Sequence, residues 1–207
     1  MKKFLAIMCI LTAVLFYCSG AEAVEAGISE GTSELGTMAA ISSLSGKAQG
    51  SKFTSTTTLG LAQYGYFITD HIQLGGSVLY MGQTSKTADE KSTSDATGID
   101  LYGKYHFYSK GQSVVPYLGV QAGYLDISAK SDGDSASGDA FSYGGMGGLK
   151  FFITEKISFN TELNYRRYKM DITSGGTKVG VNVNNLTLLL GLFREIGGWP
   201  DSRQAVI

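Results

Sequence analysis

Five charged residues are the candidates for a functional site. Each lies in a segment with the alternating pattern of a β-strand, on a face that otherwise carries small or uncharged side chains. They are Asp100, Lys104, Lys150, Glu162 and Arg166. On the inner wall of a barrel they would line a conducting pore or pair as a plug, and an eight-stranded barrel has room inside only for side chains, which favours the plug. Because an unpaired buried charge is costly, we expect Glu162 to pair with Arg166 or Lys150, and Asp100 with Lys104.

Other reactive side chains are scarce. His71 and His106 are the only histidines, and neither stands in a His-x-x-x-His or His-x-Ser context. Both cysteines, Cys9 and Cys18, lie in the N-terminal leader, so the chain after the leader has no thiol for catalysis, disulfide formation or metal binding. We therefore predict no catalytic site, no metal site and no cofactor.

The stretch from Ala140 to Met170 shows how strands would position the charges. Apolar and polar residues alternate on both sides of a turn at 154–156, which predicts a β-hairpin with unlike faces. The expected pairs are Ile153 with Ile157, Gly148 with Glu162 and Gly144 with Arg166. Small residues opposite long charged ones suit a narrow barrel interior, so the apolar face would contact lipid. The alternative is a soluble sheet with one face in water.

Eight such segments follow one another along the chain. They span residues 34–45, 53–68, 72–84, 97–108, 114–128, 140–153, 157–170 and 181–193. Tight turns at 69–71, 109–113 and 154–156 alternate with polar links at 46–52, 85–96, 129–139 and 172–180. Short turns on one side and long loops on the other are typical of outer-membrane barrels. The sequence therefore predicts an all-β, eight-stranded antiparallel up-and-down transmembrane β-barrel.

The N-terminus has the features of a cleavable signal peptide. A basic start, a short apolar run and the ending Ala21-Glu22-Ala23 predict cleavage after residue 23, with a cut after Ala26 as a variant and lipidation of Cys18 as a weaker alternative. The apolar run is too short for a transmembrane helix. We expect residues 24–33 to be a flexible segment, 34–193 the barrel and 194–207 a periplasmic tail.

Charge excludes one class of partner. Removing Lys2, Lys3 and Glu22 from the 17 basic and 18 acidic residues leaves 15 and 17, a net charge of −2. A nucleic-acid-binding domain would carry a basic patch or stripe, which this balance argues against.

The pattern resembles the small eight-stranded outer-membrane barrels, the family of OmpX-like proteins and OmpA-like barrel domains. The features that carry the resemblance are the leader ending, the Tyr-Phe-Ile-Thr-Asp-His-Ile turn of 66–72, which recurs as Phe-Phe-Ile-Thr-Glu-Lys-Ile at 151–157, Pro116-Tyr117-Leu118-Gly119, and the leucine alternation of 186–192. One departure is that Phe193 is followed by residues 194–207, whereas the family usually ends on an aromatic residue. The resemblance implies export to the bacterial outer membrane, with the barrel-assembly machinery, lipid and lipopolysaccharide as partners.

For function, we predict a non-enzymatic barrel with a structural or surface-interaction role. The alternative is a narrow porin-like channel for small solutes, followed by a soluble lipocalin-like carrier and a lipid-modifying outer-membrane enzyme. Arg167 and Lys169 lie on the lipid-facing side near the outer end of the seventh strand, where they could bind lipopolysaccharide phosphates or simply be solvated. The polar loops 85–96 and 129–139 could contact an extracellular partner.

Overall fold

The computed structural model describes residues 26–48, 51–86, 91–109, 111–131, 134–174 and 177–197. It is a closed barrel of eight strands in which each strand pairs antiparallel with the next and β1 pairs with β8. The strands are β1 (Ser33–Ala48), β2 (Ser51–Phe67), β3 (Ile72–Lys86), β4 (Lys91–His106), β5 (Val114–Ser131), β6 (Asp134–Thr154), β7 (Ile157–Ser174) and β8 (Thr177–Ile196). The predicted fold class is confirmed. The predicted signal peptide, 1–23, lies outside the described residues.

No helix among the described residues is long and apolar enough to cross a membrane.

The outer wall is apolar and the inner wall polar, because successive side chains of a strand point to opposite faces. Leu101 is 74% exposed and Leu163 51%, whereas Lys150 is 1% and Glu162 0% exposed. The predicted inside-out arrangement is therefore confirmed. Exposed aromatic residues border the apolar band on both sides, as in outer-membrane barrels. They are Tyr64, Tyr66, Tyr105 and Phe107 at one border, and Tyr80, Tyr124, Phe141 and Tyr143 at the other.

The two ends of the barrel differ. We call the end that carries Ser33, Ile196 and the turns after β2, β4 and β6 the turn end, and the opposite end the far end. The turns after β2 and β6 share one hydrogen-bond pattern. The hydroxyl oxygen of Thr69 accepts from the backbone N–H groups of His71 and Ile72, at 3.2 and 3.0 Å. Thr154 does the same for residues 156 and 157, at 3.3 and 3.0 Å, so the repeated sequence folds into a repeated turn.

The register of the β6–β7 hairpin is as predicted over most of its length. Gly148 pairs with Glu162 and Gly144 with Arg166. The turn itself is tighter than predicted, because the register shifts after Phe152 and Thr154, not Ile153, pairs with Ile157.

The strands are longer than predicted at the far end. β4 begins at Lys91, β5 and β6 reach Ser131 and Asp134, and β7 and β8 reach Ser174 and Thr177. The loops predicted at 85–96, 129–139 and 172–180 are therefore mostly strand, and that prediction was wrong. Their serine, threonine, glycine and aspartate content suggested loops by composition, but these backbones continue the ladder, and packing context decides strand formation more than propensity does. β8 also continues past the predicted barrel boundary at 193 to Ile196.

Polarity reverses along the barrel. Strands of 15 to 21 residues exceed the roughly 9–11 that cross a bilayer, so the wall continues beyond the aromatic border at the far end. On its outer face this extension carries exposed charges: Asp95, Asp126, Asp139, Arg167, Lys169 and Asp171. On its inner face lie buried or half-buried apolar side chains: Met81, Ala96, Leu125, Ile127 and Met170. The extension therefore has the polarity of a soluble barrel.

The barrel closes along a short seam. β1 and β8 pair only from Ser33 with Ile196 to Ala39 with Leu190, whereas the other strand pairs run along nearly their full length. Among the pairs that the structure describes, the far half of β8 has β7 as its only neighbour.

Candidate functional site

Among the residues whose burial the structure describes, seven charged side chains are buried inside the barrel toward the turn end, with exposed fractions between 0 and 6%. They are Glu34, Asp100, Lys104, Lys150, Glu162, Arg166 and Glu195. The structure thus places all five sequence-predicted residues in the interior and adds two glutamates. Together with the polar residues that bind them, we call these side chains the plug.

Glu162 is the centre of the plug. Its Oε2 accepts from the Lys104 ammonium at 3.1 Å and from the Tyr117 hydroxyl at 3.0 Å, and its Oε1 accepts from the Asn164 amide at 3.1 Å. The Lys104 nitrogen also lies 4.8 and 4.9 Å from the ring centroids of Tyr102 and Tyr117. An aromatic face attracts a desolvated cation. Both members of this buried ion pair therefore have additional partners, which a buried pair requires.

Arg166 extends the plug toward the far end. Its Nη1 lies 2.8 Å from Oδ2 of Asp100, and its Nη2 donates to the Gln121 side-chain oxygen at 2.8 Å. Its Nε donates at 3.2 Å to Asn164, which also donates to Glu162. One connected network therefore runs from Lys104 to Asp100.

Lys150 forms a second group nearer the turn end. Its ammonium contacts the carboxylate of Glu34 and donates to Oε1 of Glu195 at 3.1 Å. Glu34 also accepts from the Gln73 amide at 3.0 Å. Two carboxylates thus share one cation, which lies 5.4 Å from the ring centroid of Phe67.

The predicted pairings were wrong. Lys104 pairs with Glu162 and Arg166 with Asp100, whereas we expected partners on the same strand or its neighbour. Residues four apart on one strand are separated by about 13 Å, so Asp100 does not reach Lys104. Side chains from strands across the narrow lumen meet instead.

Sequence reasoning missed Glu34 and Glu195 for different reasons. Glu34 opens a strand whose faces alternate weakly, and Glu195 was assigned to a tail beyond residue 193. The signal for Glu195 was present, because Arg194 and Ile196 continue the outward parity of the preceding leucines and leave residue 195 facing inward.

Glycines make room for the aromatic rings of the plug. A Cβ added at Gly148 would lie 2.6 Å from Cζ of Tyr117, and one at Gly75 would lie 2.5 Å from Cζ of Tyr102. The rings therefore lie directly against the inner wall, as space-filling in a narrow barrel requires.

Both histidines lie at the turn end and contact each other's surroundings. The His106 ring lies 5.0 Å from the centroid of Phe67 and 5.4 Å from that of Tyr117. His71 lies beside the turn, with its Nδ1 3.1 Å from the His106 carbonyl oxygen. Over the described ranges, no group of three or more histidine, cysteine, aspartate or glutamate residues could hold a metal ion.

The segment before β1 closes the turn end. Ala26 and Ile28 are 4% exposed and pack with Phe67, Val115 and Phe152. The Ala26 N–H donates to the Gln112 carbonyl at 3.1 Å, and the Gly31 N–H donates to the Phe67 carbonyl at 2.9 Å. The prediction of a loose segment was therefore wrong for residues 26–32. Its apolar residues are few, but they are placed to fill the mouth of the barrel.

Replacing Ile28 with aspartate is expected to detach this segment while the barrel stays folded. The new carboxylate would be buried without a cation. The free energy of docking should therefore weaken by more than ~1.4 kcal/mol, which corresponds to a tenfold change in the docking equilibrium. Hydrogen exchange at the Ala26 and Gly31 amides should accelerate at least about tenfold. Ser29→Asp adds the same charge at the adjacent exposed position and should leave both amides protected. Equal exchange in the two variants would contradict the packing of Ile28.

Arg167 and Lys169 lie on the outer face of the extension, and both are exposed. The Lys169 ammonium lies 5.7 Å from the ring centroid of Tyr143, at the aromatic border. Both cations therefore lie on the outer wall beside the aromatic border, where Arg167 pairs with Tyr143 in the β6–β7 register.

Comparison with known proteins gives a family and a fold. A family model described as outer membrane protein beta-barrel domain matches residues 9–192. The outer membrane protein OprG from Pseudomonas aeruginosa is similar at 16% identity, over 82% of this chain and 98% of that one, with a TM-score of 0.58. Neisserial surface protein A is similar at 18% identity, over 83% and 99%, with a TM-score of 0.52. At such identities the likeness shows the fold alone. No curated protein matched the sequence.

Proposed function

The chain belongs to the outer membrane protein beta-barrel domain family, and from that premise we propose that it is a closed, non-conducting barrel with a structural or surface-interaction role. Its place is the outer membrane. By the usual orientation of such barrels, the turn end faces the periplasm and the far end the exterior.

The plug is the observation that carries this proposal. From the turn end inward, the lumen contains the docked N-terminal segment, the Lys150 group, and the network from Lys104 to Asp100. The docked segment packs by apolar contacts and backbone hydrogen bonds, whereas the other two layers are made of buried, mutually bonded side chains from strands on different sides of the barrel. An ion crossing the lumen would have to separate these pairs, and leaving a buried charge unpaired is costly.

Planar-bilayer recordings at high salt test the proposal directly. The wild-type protein is expected to insert without unitary current steps, because an ion would have to separate the buried pairs of the plug. Steady unitary steps from the wild type would overturn the closed barrel in favour of the narrow porin-like channel.

A variant with an opened lumen is the positive control, because an absence of current steps would also result if the protein failed to insert. The opened variant lacks residues 26–32 and carries Glu34→Ala, Lys104→Ala, Tyr117→Ala, Lys150→Ala and Glu162→Ala. These changes remove the docked segment, the Lys150 group and the centre of the network, and the charges of the two glutamates and two lysines cancel. We expect this variant to show current steps. Heat-modifiable gel migration of both proteins, taken from the outer-membrane fraction, verifies that each barrel is folded.

We further infer that the barrel is not an enzyme. The packing of His106 between aromatic rings and the position of His71 at a turn support structural roles for both. We also propose that the leader is removed after residue 23. The burial of Ala26 supports this position, since a cut after Ala26 would remove a residue that packs in the mouth.

The proposed partners are membrane components. Exposed Arg167 and Lys169 at the aromatic border could bind lipopolysaccharide phosphates, and insertion would use the barrel-assembly machinery. The surface available to an extracellular partner is chiefly the charged outer wall of the extension, because the regions predicted as loops 85–96 and 129–139 are mostly strand.

A further inference from the structure

A cavity of about 360 Å³ lies inside the barrel at the far end, beyond the plug. Most of its wall is apolar, with Met81, Leu125, Ile127 and Met170 among the side chains that line it. Its volume is within the ~300–1,000 Å³ of small-molecule sites. No charged residue is among the described residues that line it.

The plug lies on the turn-end side of this cavity, and none of its charged residues is among the described residues that line it. On β7, the inward positions run from Arg166 of the plug to Tyr168 and Met170 of the cavity wall. Arg166 is already paired with Asp100 at 2.8 Å and donates to Gln121, so its charge is engaged below the cavity. A molecule in the cavity would therefore meet an apolar wall rather than a free ion.

The polarity of the surrounding wall supports a binding role. Outside the cavity the extension carries exposed charges such as Asp126 and Lys169, while inside it is apolar. Polar outside and apolar inside is how soluble eight-stranded barrels hold one small ligand. An apolar interior that only filled space would be packed to native density, whereas this one keeps room for a guest.

We propose that this cavity binds one small apolar molecule with an uncharged polar end, of the medium-chain alkanol type. The chain lies against Leu125, Ile127 and Met170, and the hydroxyl group faces Gln83 and Asn185, which also line the cavity and are exposed. A charged head group is disfavoured because no described lining side chain would pair with it. This site lies beyond the plug and does not depend on whether the lumen conducts.

Photolabelling tests the site in lipid nanodiscs free of detergent. The probe is a medium-chain alkanol with a diazirine at its tail, and labelled peptides are mapped by mass spectrometry. We expect saturable labelling of the peptides that contain Ile127 and Met170. An excess of unlabelled alkanol should abolish this labelling, whereas an alkyl sulfonate of equal chain length should not. Labelling confined to outward side chains, labelling that does not saturate, or equal competition by the sulfonate would overturn the proposal.

A cavity-filling variant and a matched control complete the test. Ala136 lines the cavity on β6, opposite Ala129 of β5, whereas Ala122 points outward from β5 and is exposed. Ala136→Phe should reduce saturable labelling about tenfold, or ~1.4 kcal/mol of binding, and Ala122→Phe should leave it unchanged. Heat-modifiable migration checks folding, and Ala129→Phe provides a second filled cavity if Ala136→Phe does not fold. Undiminished labelling in a folded variant with a filled cavity would refute the proposal.

Discussion

Replacing Glu162 with leucine is expected to lower the free energy of unfolding by about 3–5 kcal/mol. Among the described residues, Glu162 is the only one whose carboxylate lies within ion-pair distance of Lys104, and the Lys104 side chain is 2% exposed. The substitution also leaves the Tyr117 hydroxyl and the Asn164 amide without the oxygen to which they donate. The folded fraction, read from heat-modifiable migration across a urea series in lipid vesicles, measures the loss.

A double-mutant cycle separates this ionic effect from a change in packing. Adding Lys104→Met to Glu162→Leu removes the stranded cation, so the double variant should regain much of the lost stability. Thr161→Leu makes a similar change one residue earlier on the outward face and should change stability little. If the single variant unfolds like the wild type, or the double variant is no more stable than the single, the assigned pairing is wrong.

Replacing Lys150 with methionine should be about as damaging, at roughly 3–5 kcal/mol. The side chain is 1% exposed and lies between Glu34 and Glu195, so methionine would leave two buried carboxylates facing each other with no cation between them. The same urea series measures the effect.

Because Glu34 and Glu195 share the Lys150 ammonium, losing one carboxylate is expected to destabilise the protein less than losing the lysine. Glu195→Gln should be milder, at about 1–2 kcal/mol, because Lys150 keeps Glu34 as its counter-ion and the amide oxygen still accepts a hydrogen bond. Lys169→Met removes an exposed lysine from the outer wall and should change stability by about 0.5 kcal/mol or less. Equal losses for Glu195→Gln and Lys150→Met would show that the two carboxylates do not share the ammonium.

Alternation was sufficient to predict that there are eight strands and which faces of the clearly alternating ones point inward, because burial imposes a period of two on a strand that crosses the membrane. That is why Glu162 and Lys150 were placed inside, and why the register that joins Gly148 to Glu162 followed from the hairpin alone. A one-residue slip would have moved every apolar side chain to the wrong face.

Pairing across the lumen did not follow from alternation, because it depends on barrel shear and side-chain reach. Lys104 and Glu162 are 58 positions apart in the sequence and meet only after the barrel closes. The far-end extension was missed for another reason: with water outside, its outer face carries no apolar periodicity, and the signal that marks a membrane strand disappears. The cavity wall is spread over many strands, so no single stretch of sequence displays it.

The short pairing between β1 and β8 has a mechanical consequence. Backbone hydrogen bonds join seven of the neighbouring strand pairs along nearly their full length, but they join β1 and β8 only in part. The weakest line of the barrel wall therefore runs from Ala39 and Leu190 to the far end. Thermal distortion of the cross-section should therefore concentrate on that line, with the opposite wall acting as a hinge. The bonded part lies next to the docked N-terminal segment, so the reinforced part and the unpaired part of the β1–β8 joint are at opposite ends of the barrel.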